Sequence, residues 1–177
     1  MRIITGSAKG INLHTLEGDA TRPTSARAKE ALFSMLQFDV EGRRVLDLFG
    51  GSGQLGLEAL SRGAASCTFV DAAPAAVAVI RQNIEKTGFA DRARVQNADY
   101  RNFLRKCKED GFDLVFLDPP YASDALVDAL LRLRDSGLLH RGCILACESE
   151  TGGILEKDAR LADAYSLLKS SHYGRVH

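Results

Sequence analysis

The chain has 177 residues, 45% of them hydrophobic and 26% charged, the balance of an ordinary globular protein large enough to bury a core without disulfides. Lysine plus arginine and aspartate plus glutamate both total 23, so no net field steers the molecule toward polyanions, and any such partner must be met by a local patch. No apolar run approaches the roughly 20 residues that a membrane span requires. Met1-Arg2-Ile3-Ile4-Thr5-Gly6 has no signal-peptide character, so a cytoplasmic protein with no membrane partner is expected.

From Arg2 to about Asp19, Ile3, Ile4, Ile11, Leu13 and Leu16 are interrupted by Gly6, Gly10 and Gly18, a pattern that predicts a small β-hairpin. Thr21-Arg22-Pro23-Thr24 then leads into a helical run from about Ser25 to Phe38, with Ala28, Ala31, Leu32, Met35 and Leu36 on one face. Residues 1–43 thus read as an extension to a core over 44–177, the whole forming a single domain. In the core, strand candidates Val45–Phe49, Cys67–Asp71, Ala93–Gln96, Phe112–Leu117 and Cys143–Glu148 alternate with helical runs at Leu55–Ser61, Pro74–Lys86, Tyr100–Lys108 and Ala125–Asp135. Apolar strands alternating with amphipathic helices specify an α/β fold: a mostly parallel sheet with helices on both faces. Ala164–Ser171 is a candidate late strand. Cys67, Cys143 and Cys147 lie in apolar strand-like runs and read as buried reduced thiols; neither the four cysteines nor the four histidines have metal-ligand spacing, and no metal site is expected.

The strongest chemical signal is Asp118-Pro119-Pro120-Tyr121, directly after the run Phe112–Leu117. Proline cannot continue a sheet ladder, and Pro120 pushes Pro119 toward extended geometry. The turn therefore offers the Asp118 carboxylate, the Pro119 carbonyl oxygen and the flat face of Tyr121. Such a set suits an exocyclic NH2 on a planar base or amide: two acceptors for its hydrogens and a ring to stack on.

After the first core strand, Gly51, Gly53 and Gly56 follow G-x-G-x-x-G spacing, and Asp71 ends the next strand. Alone, this fits dinucleotide binding. Asp47, however, puts an anion where a pyrophosphate would sit, and favours instead the ammonium and sulfonium of S-adenosylmethionine, with Asp71 on the ribose. Asn97-Ala98-Asp99, after the third strand, supplies a further acid where the adenine amine would lie. Each acid by itself could be a helix cap or turn residue, but Asp47, Asp71, Asp99 and Asp118 fall at four successive strand ends, where open α/β sheets bind ligands.

The glycine loop and the Asp-Pro-Pro-Tyr turn together resemble the Rossmann-like class I methyltransferases that act on exocyclic or amide nitrogen. Met1–Gly6, Thr21–Thr24 with Arg27 and Lys29–Phe33, and Val45–Gly53 with Leu57–Gly63 narrow this. They are similar to the bacterial small-subunit rRNA guanine-N2 methyltransferase family, over almost the whole chain. The resemblance implies methylation of one guanine amine in 16S rRNA, of the guanine-966 type, in a small ribosomal subunit or its assembly intermediate, by a monomer using S-adenosylmethionine. It implies Asp118, Pro119, Pro120 and Tyr121 as the catalytic turn, and Asp47, Phe49, Gly50, Gly51, Gly53, Asp71, Ala72, Asn97, Ala98, Asp99 and Asp118 around the cofactor. Lys9, Arg22, Thr24, Arg27 and Lys29 are the expected RNA contacts, from the only cluster of positive charge in the extension.

The sequence departs from the family pattern at the less basic tip Ser7-Ala8-Lys9-Gly10, at Ala26 where an acid is usual, and at Gly50 where alanine is usual. It also stops at Gly174-Arg175-Val176-His177, where the family's last strand is expected to begin. Three rival readings stand beside this one. A nucleotide-dependent oxidoreductase leaves the Asp-Pro-Pro-Tyr turn without a task, and a non-catalytic module does not explain Asp118 and Tyr121. A methyltransferase acting on adenine N6 or a glutamine amide shares the same turn.

Overall fold

The computed structural model describes residues 1–16, 23–120 and 124–172, with no side-chain detail for residues 23–25. Five strands, β1 (Arg44–Asp47), β2 (Ser66–Asp71), β3 (Ala93–Asn97), β4 (Phe112–Leu117) and β5 (Leu139–Cys147), form one sheet in the order β3-β2-β1-β4-β5. Every pairing is parallel, so all the strand C-termini lie along one edge of the sheet. The order reverses between β1 and β4, and the crevice outside that switch point is where an open α/β sheet holds a ligand.

Alternation along the central strands sorts their side chains onto two faces. Val45, Cys67, Phe69, Leu114 and Phe116 pack on one side with Phe33 of α1 (Pro23–Met35), Leu57 and Leu60 of α2 (Gln54–Ser61) and Ile80 and Ile84 of α3 (Pro74–Thr87). Leu46, Val70, Val115 and Leu117 pack on the other with Phe103 and Leu104 of α4 (Tyr100–Lys106), Leu126, Leu130 and Leu133 of α5 (Ala125–Ser136) and Leu161 of α6 (Ala159–Ala164). The five strands and four helices expected of the core over 44–147 all form, with ends displaced by a few residues. The first core strand stops at Asp47 because Leu48 and Phe49 already belong to the turn, and the last begins at Leu139, earlier than its apolar run.

The start of the chain is hairpin-like without regular strands. Arg2 bridges Asn12, and Ile3 and Ile11 exchange backbone bonds with their opposite segment. Its expected end at Asp19 lies outside the described residues. The helix expected over Ser25–Phe38 runs Pro23–Met35, and Phe38 is left exposed.

The late strand expected over Ala164–Ser171 does not form. Alternation there is outcompeted by docking: Leu161 is fully buried, and the Tyr165 hydroxyl donates to the Leu130 carbonyl of α5 at 2.7 Å. Leu167 and Leu168 then follow as exposed, irregular chain. A short 3-10 turn at Ile154–Lys157, which no periodicity marks, precedes α6. Among the described residues, no helix is long and apolar enough to cross a membrane.

Candidate active site

The turn after β1 is built by glycine. Gly53 has φ 78° and caps the start of α2, a left-handed conformation that costs a side-chain residue energy. Gly56, on the first turn of α2, has φ in the helical range and matters for space instead. A Cβ there would lie 2.3 Å from Phe69 Cε1 and 2.6 Å from Cys67 Sγ, so only glycine lets α2 close on β2. These are the tight-turn and close-packing roles that the spacing of Gly51, Gly53 and Gly56 requires.

The strand ends converge on an open cavity of about 2200 Å³, lined among others by Asp47, Phe49, Gly50, Gly51, Asp71, Ala72, Ala98, Asp99, Asp118, Pro119 and Pro120. Asp47 is 2% exposed and accepts the Gly56 N–H at 3.0 Å. Burial pushes its carboxyl up to about 7 against that hydrogen bond, and the nearby charges of Asp118 and Asp71 push the same way. Asp71 accepts Gly51 N–H and Ala73 N–H, both at 2.8 Å, one on each oxygen. A carboxylate has about four lone-pair sites, so two stay available to hydroxyl donors. Asp118 is half-buried, and Pro119 behind it is buried.

Asn97 and Gly53 do not line the cavity. The Asn97 amide donates to the carbonyls of Asp71 and Ala72 at 3.0 and 3.1 Å, so it braces the loop that carries Asp71. Asp99 does border the cavity while capping α4, accepting Arg101 N–H at 2.9 Å. Tyr121 lies outside the described residues.

Tyr100 of the cavity wall was missed in the sequence. Phe49 and Tyr100 meet with ring centroids 5.1 Å apart, and the Tyr100 hydroxyl donates to Asp128 at 2.7 Å. A tyrosine opening a helix directly after a strand-end acid was the available signal. Cys143 and Cys147 also border the cavity and are only part-buried, unlike Cys67; burial still pushes both thiols up to about 12, which keeps them protonated and unreactive. Among the described residues no group of three or more His, Cys, Asp or Glu could hold a metal ion.

A family model described as conserved hypothetical protein 95 matches residues 1–177. Ribosomal RNA small subunit methyltransferase D of Haemophilus influenzae is 32% identical over 99% of this chain and 90% of its own length. YlbH of Bacillus subtilis, named there as a candidate rRNA methyltransferase, is 43% identical over 76% of this chain and 74% of its own. The solved structure of yhhF from Escherichia coli superposes with a TM-score of 0.84, at 34% identity, over 99% of this chain and 93% of that one.

This chain belongs to the small-subunit rRNA methyltransferase D family.

It is therefore a methyltransferase with the Rossmann-like class I fold. In this methyltransferase the extension does more structural work than its charges suggested. Lys29 is 4% exposed, 3.2 Å from Glu58, and donates to the Arg2 carbonyl at 3.1 Å. It is a buried strut and cannot reach a phosphate, which corrects the expectation that it contacts RNA. Position 29 falls on the helix face turned toward α2, and Glu58 is the buried counter-charge. Glu58 also accepts Ile4 N–H, Thr5 N–H and Arg62 Nε, so one carboxylate ties the hairpin, α1 and α2 together. The signal was a lone acid inside the otherwise apolar run of α2. Lys9 and Arg27 are exposed. Arg22 lies outside the described residues, as does the side chain of Thr24. Gly50 leaves room for Ile80, whose Cδ1 a Cβ would meet at 2.9 Å.

Proposed function

We propose that this methyltransferase uses S-adenosylmethionine to methylate the exocyclic N2 amine of one guanine in 16S rRNA, of the guanine-966 type, within a small ribosomal subunit or its assembly intermediate. One observation carries the reading: Asp71, Asp47 and Asp118 stand at the ends of three adjacent strands around one cavity. Acidic groups at all three strand ends disfavour the phosphates of a dinucleotide, which cannot neutralise them, and suit a ligand with a cationic centre and a ribose. Asp71 has acceptor capacity for the ribose hydroxyls, Phe49, Ala72, Ala98 and Asp99 border the adenosine side, and Asp47 faces the methionine end. Relatives named for ribosomal RNA support the nucleic-acid substrate.

Bound there, S-adenosylmethionine supplies a methyl group on a cationic sulfur, which keeps the electron pair of the broken bond and leaves as a neutral thioether. The chain's own part is alignment. Asp118 and the Pro119 carbonyl accept the two amine hydrogens and turn the nitrogen lone pair out of the ring's conjugation. Pro120 holds Pro119 extended for that purpose. Positive charge grows on the attacking nitrogen, so acceptors fixed in advance stabilise the transition state more than the ground state. Asp118 then takes the excess proton or passes it to water. Tyr121 stacks the base, worth about 1–3 kcal/mol against the cost of unstacking it. Lys9, Arg22, Thr24 and Arg27 of the extension meet the RNA backbone.

The test is incubation with methyl-labelled S-adenosylmethionine and, separately, rRNA, small-subunit particles, DNA and protein. Each labelled fraction is then digested to nucleosides or amino acids. Label in N2-methylguanosine is expected. Label in N6-methyladenosine or methylglutamine would keep the catalytic turn and replace the substrate.

A further inference from the structure

We propose that Asp47 makes this site discriminate between the sulfonium cofactor and its thioether product, by giving up a proton when the cation binds. The inference rests on the cofactor reading above and adds a property of this chain to it. Asp47 is 2% exposed, and its hydrogen-bond partner is a backbone amide, Gly56 N–H, not a cation. The groups that face it from the neighbouring elements are Asp71 at the end of β2, Asp118 beyond β4 and the Cys67 thiol of β2. Among the described residues none of these is basic, so they give a buried carboxylate nothing to offset its charge. Dehydration and two like charges hold the proton on. This agrees with a carboxyl pushed up to about 7.

A cation entering the cavity reverses the balance. It supplies the missing counter-charge, and Asp47 ionises as the ligand binds. The neutral thioether carries no charge at that sulfur and gains less from the ionised acid. Methyl transfer therefore removes the charge that held the cofactor, and the spent product is released more readily near and above neutral pH, where the difference is largest.

Calorimetry with S-adenosylmethionine and S-adenosylhomocysteine, without RNA and at pH 6, 7 and 8, reads this directly. From pH 6 to pH 8 the ratio of the two affinities should move toward the sulfonium ligand by about tenfold, the limit set by a slope of one on the acid side of the titration. Repeating the pH 7 titration in two buffers of different ionisation enthalpy should show proton release with the sulfonium ligand, and less with the thioether. Asp47→Asn should abolish both effects. A wild-type ratio unchanged across pH, or equal proton release with both ligands, overturns the inference while leaving the cofactor assignment intact. Failure of both ligands to bind overturns the cofactor assignment itself. The wild-type measurements decide the matter even if the variant does not fold.

Discussion

A carboxylate that a site keeps for its ligand costs the empty protein stability. In the unfolded chain Asp47 ionises near the ordinary value of about 3.9, whereas in the fold it holds its proton up to about 7. Between those values the folded state carries a proton that the unfolded state has lost, so stability falls as pH rises and the full penalty stands above about 7. Asp47→Asn keeps an acceptor for Gly56 N–H and removes the charge. It should match wild type near pH 4 and exceed it by about 2–4 kcal/mol at pH 8. Urea unfolding at the two pH values checks this, and an equal effect at both would show that Asp47 is not held protonated. Asp118 differs because it is half-buried and faces the cavity. Asp118→Ala should leave the fold intact while slowing single-turnover methyl transfer at saturating cofactor about 10²–10⁴-fold. Transfer at the wild-type rate would remove the alignment mechanism.

At the scale of elements, two charged junctions hold the parts that frame the cavity. Lys29 joins α1 to Glu58 of α2, and α1 supplies Ala28, Leu32 and Met35 to the cavity wall. Lys29→Met leaves Glu58 buried with Arg62 as its remaining ion-pair partner. The cost should be about 3 kcal/mol, with much less lost in the Lys29→Met, Glu58→Gln pair than in the sum of the single changes. Additive losses in denaturant titrations would show that the pair does not act as a unit.

The second junction sits at the other end of the sheet, where β4 and β5 change register between Phe112 and Leu114. His140 of β5 places Nδ1 2.8 Å from Asp113 Oδ1, and its Nε2 faces the Asp110 carbonyl. Both partners are acceptors, so the protonated ring satisfies both, and the hydrogen bonds to Asp113 and Asp110 raise its pKa above 6.5. A raised histidine stabilises fully below its unfolded value, and the gain is lost as pH rises through the folded one. The melting-temperature gap between wild type and His140→Ala should therefore be larger at pH 6 than at pH 9. A gap that does not narrow would show the ring acts by packing alone.

For the whole molecule, zero formal net charge leaves RNA affinity to local cations. With Lys29 withdrawn into the core, Lys9 and Arg27 are the exposed basic residues that remain of the expected set within the described chain. Each phosphate contact contributes roughly 0.7–0.9 to the slope of log affinity against log salt. Replacing both residues with alanine should flatten that slope by at most about two units and leave cofactor affinity unchanged; an unaltered slope would move the RNA surface elsewhere.

The sequence by itself determined the layering and the ligand edge. Strand and helix periodicity are local properties, and strand-end acids such as Asp47, Asp71 and Asp118 can be read from where each apolar run stops. What it could not assign was the use of each charge, because burial depends on residues distant in the chain. Lys29 and Arg27 are two positions apart in one helix, yet one lies against Glu58 in the core and the other faces solvent. Only the packing of α1 on α2 decided which was which. The same holds for Ala164–Ser171, where the pattern permitted a strand and the docking of Leu161 and Tyr165 on α5 ruled it out. Local pattern fixes which conformations a segment can adopt, and tertiary burial selects among them and sets the cost of every charge they carry.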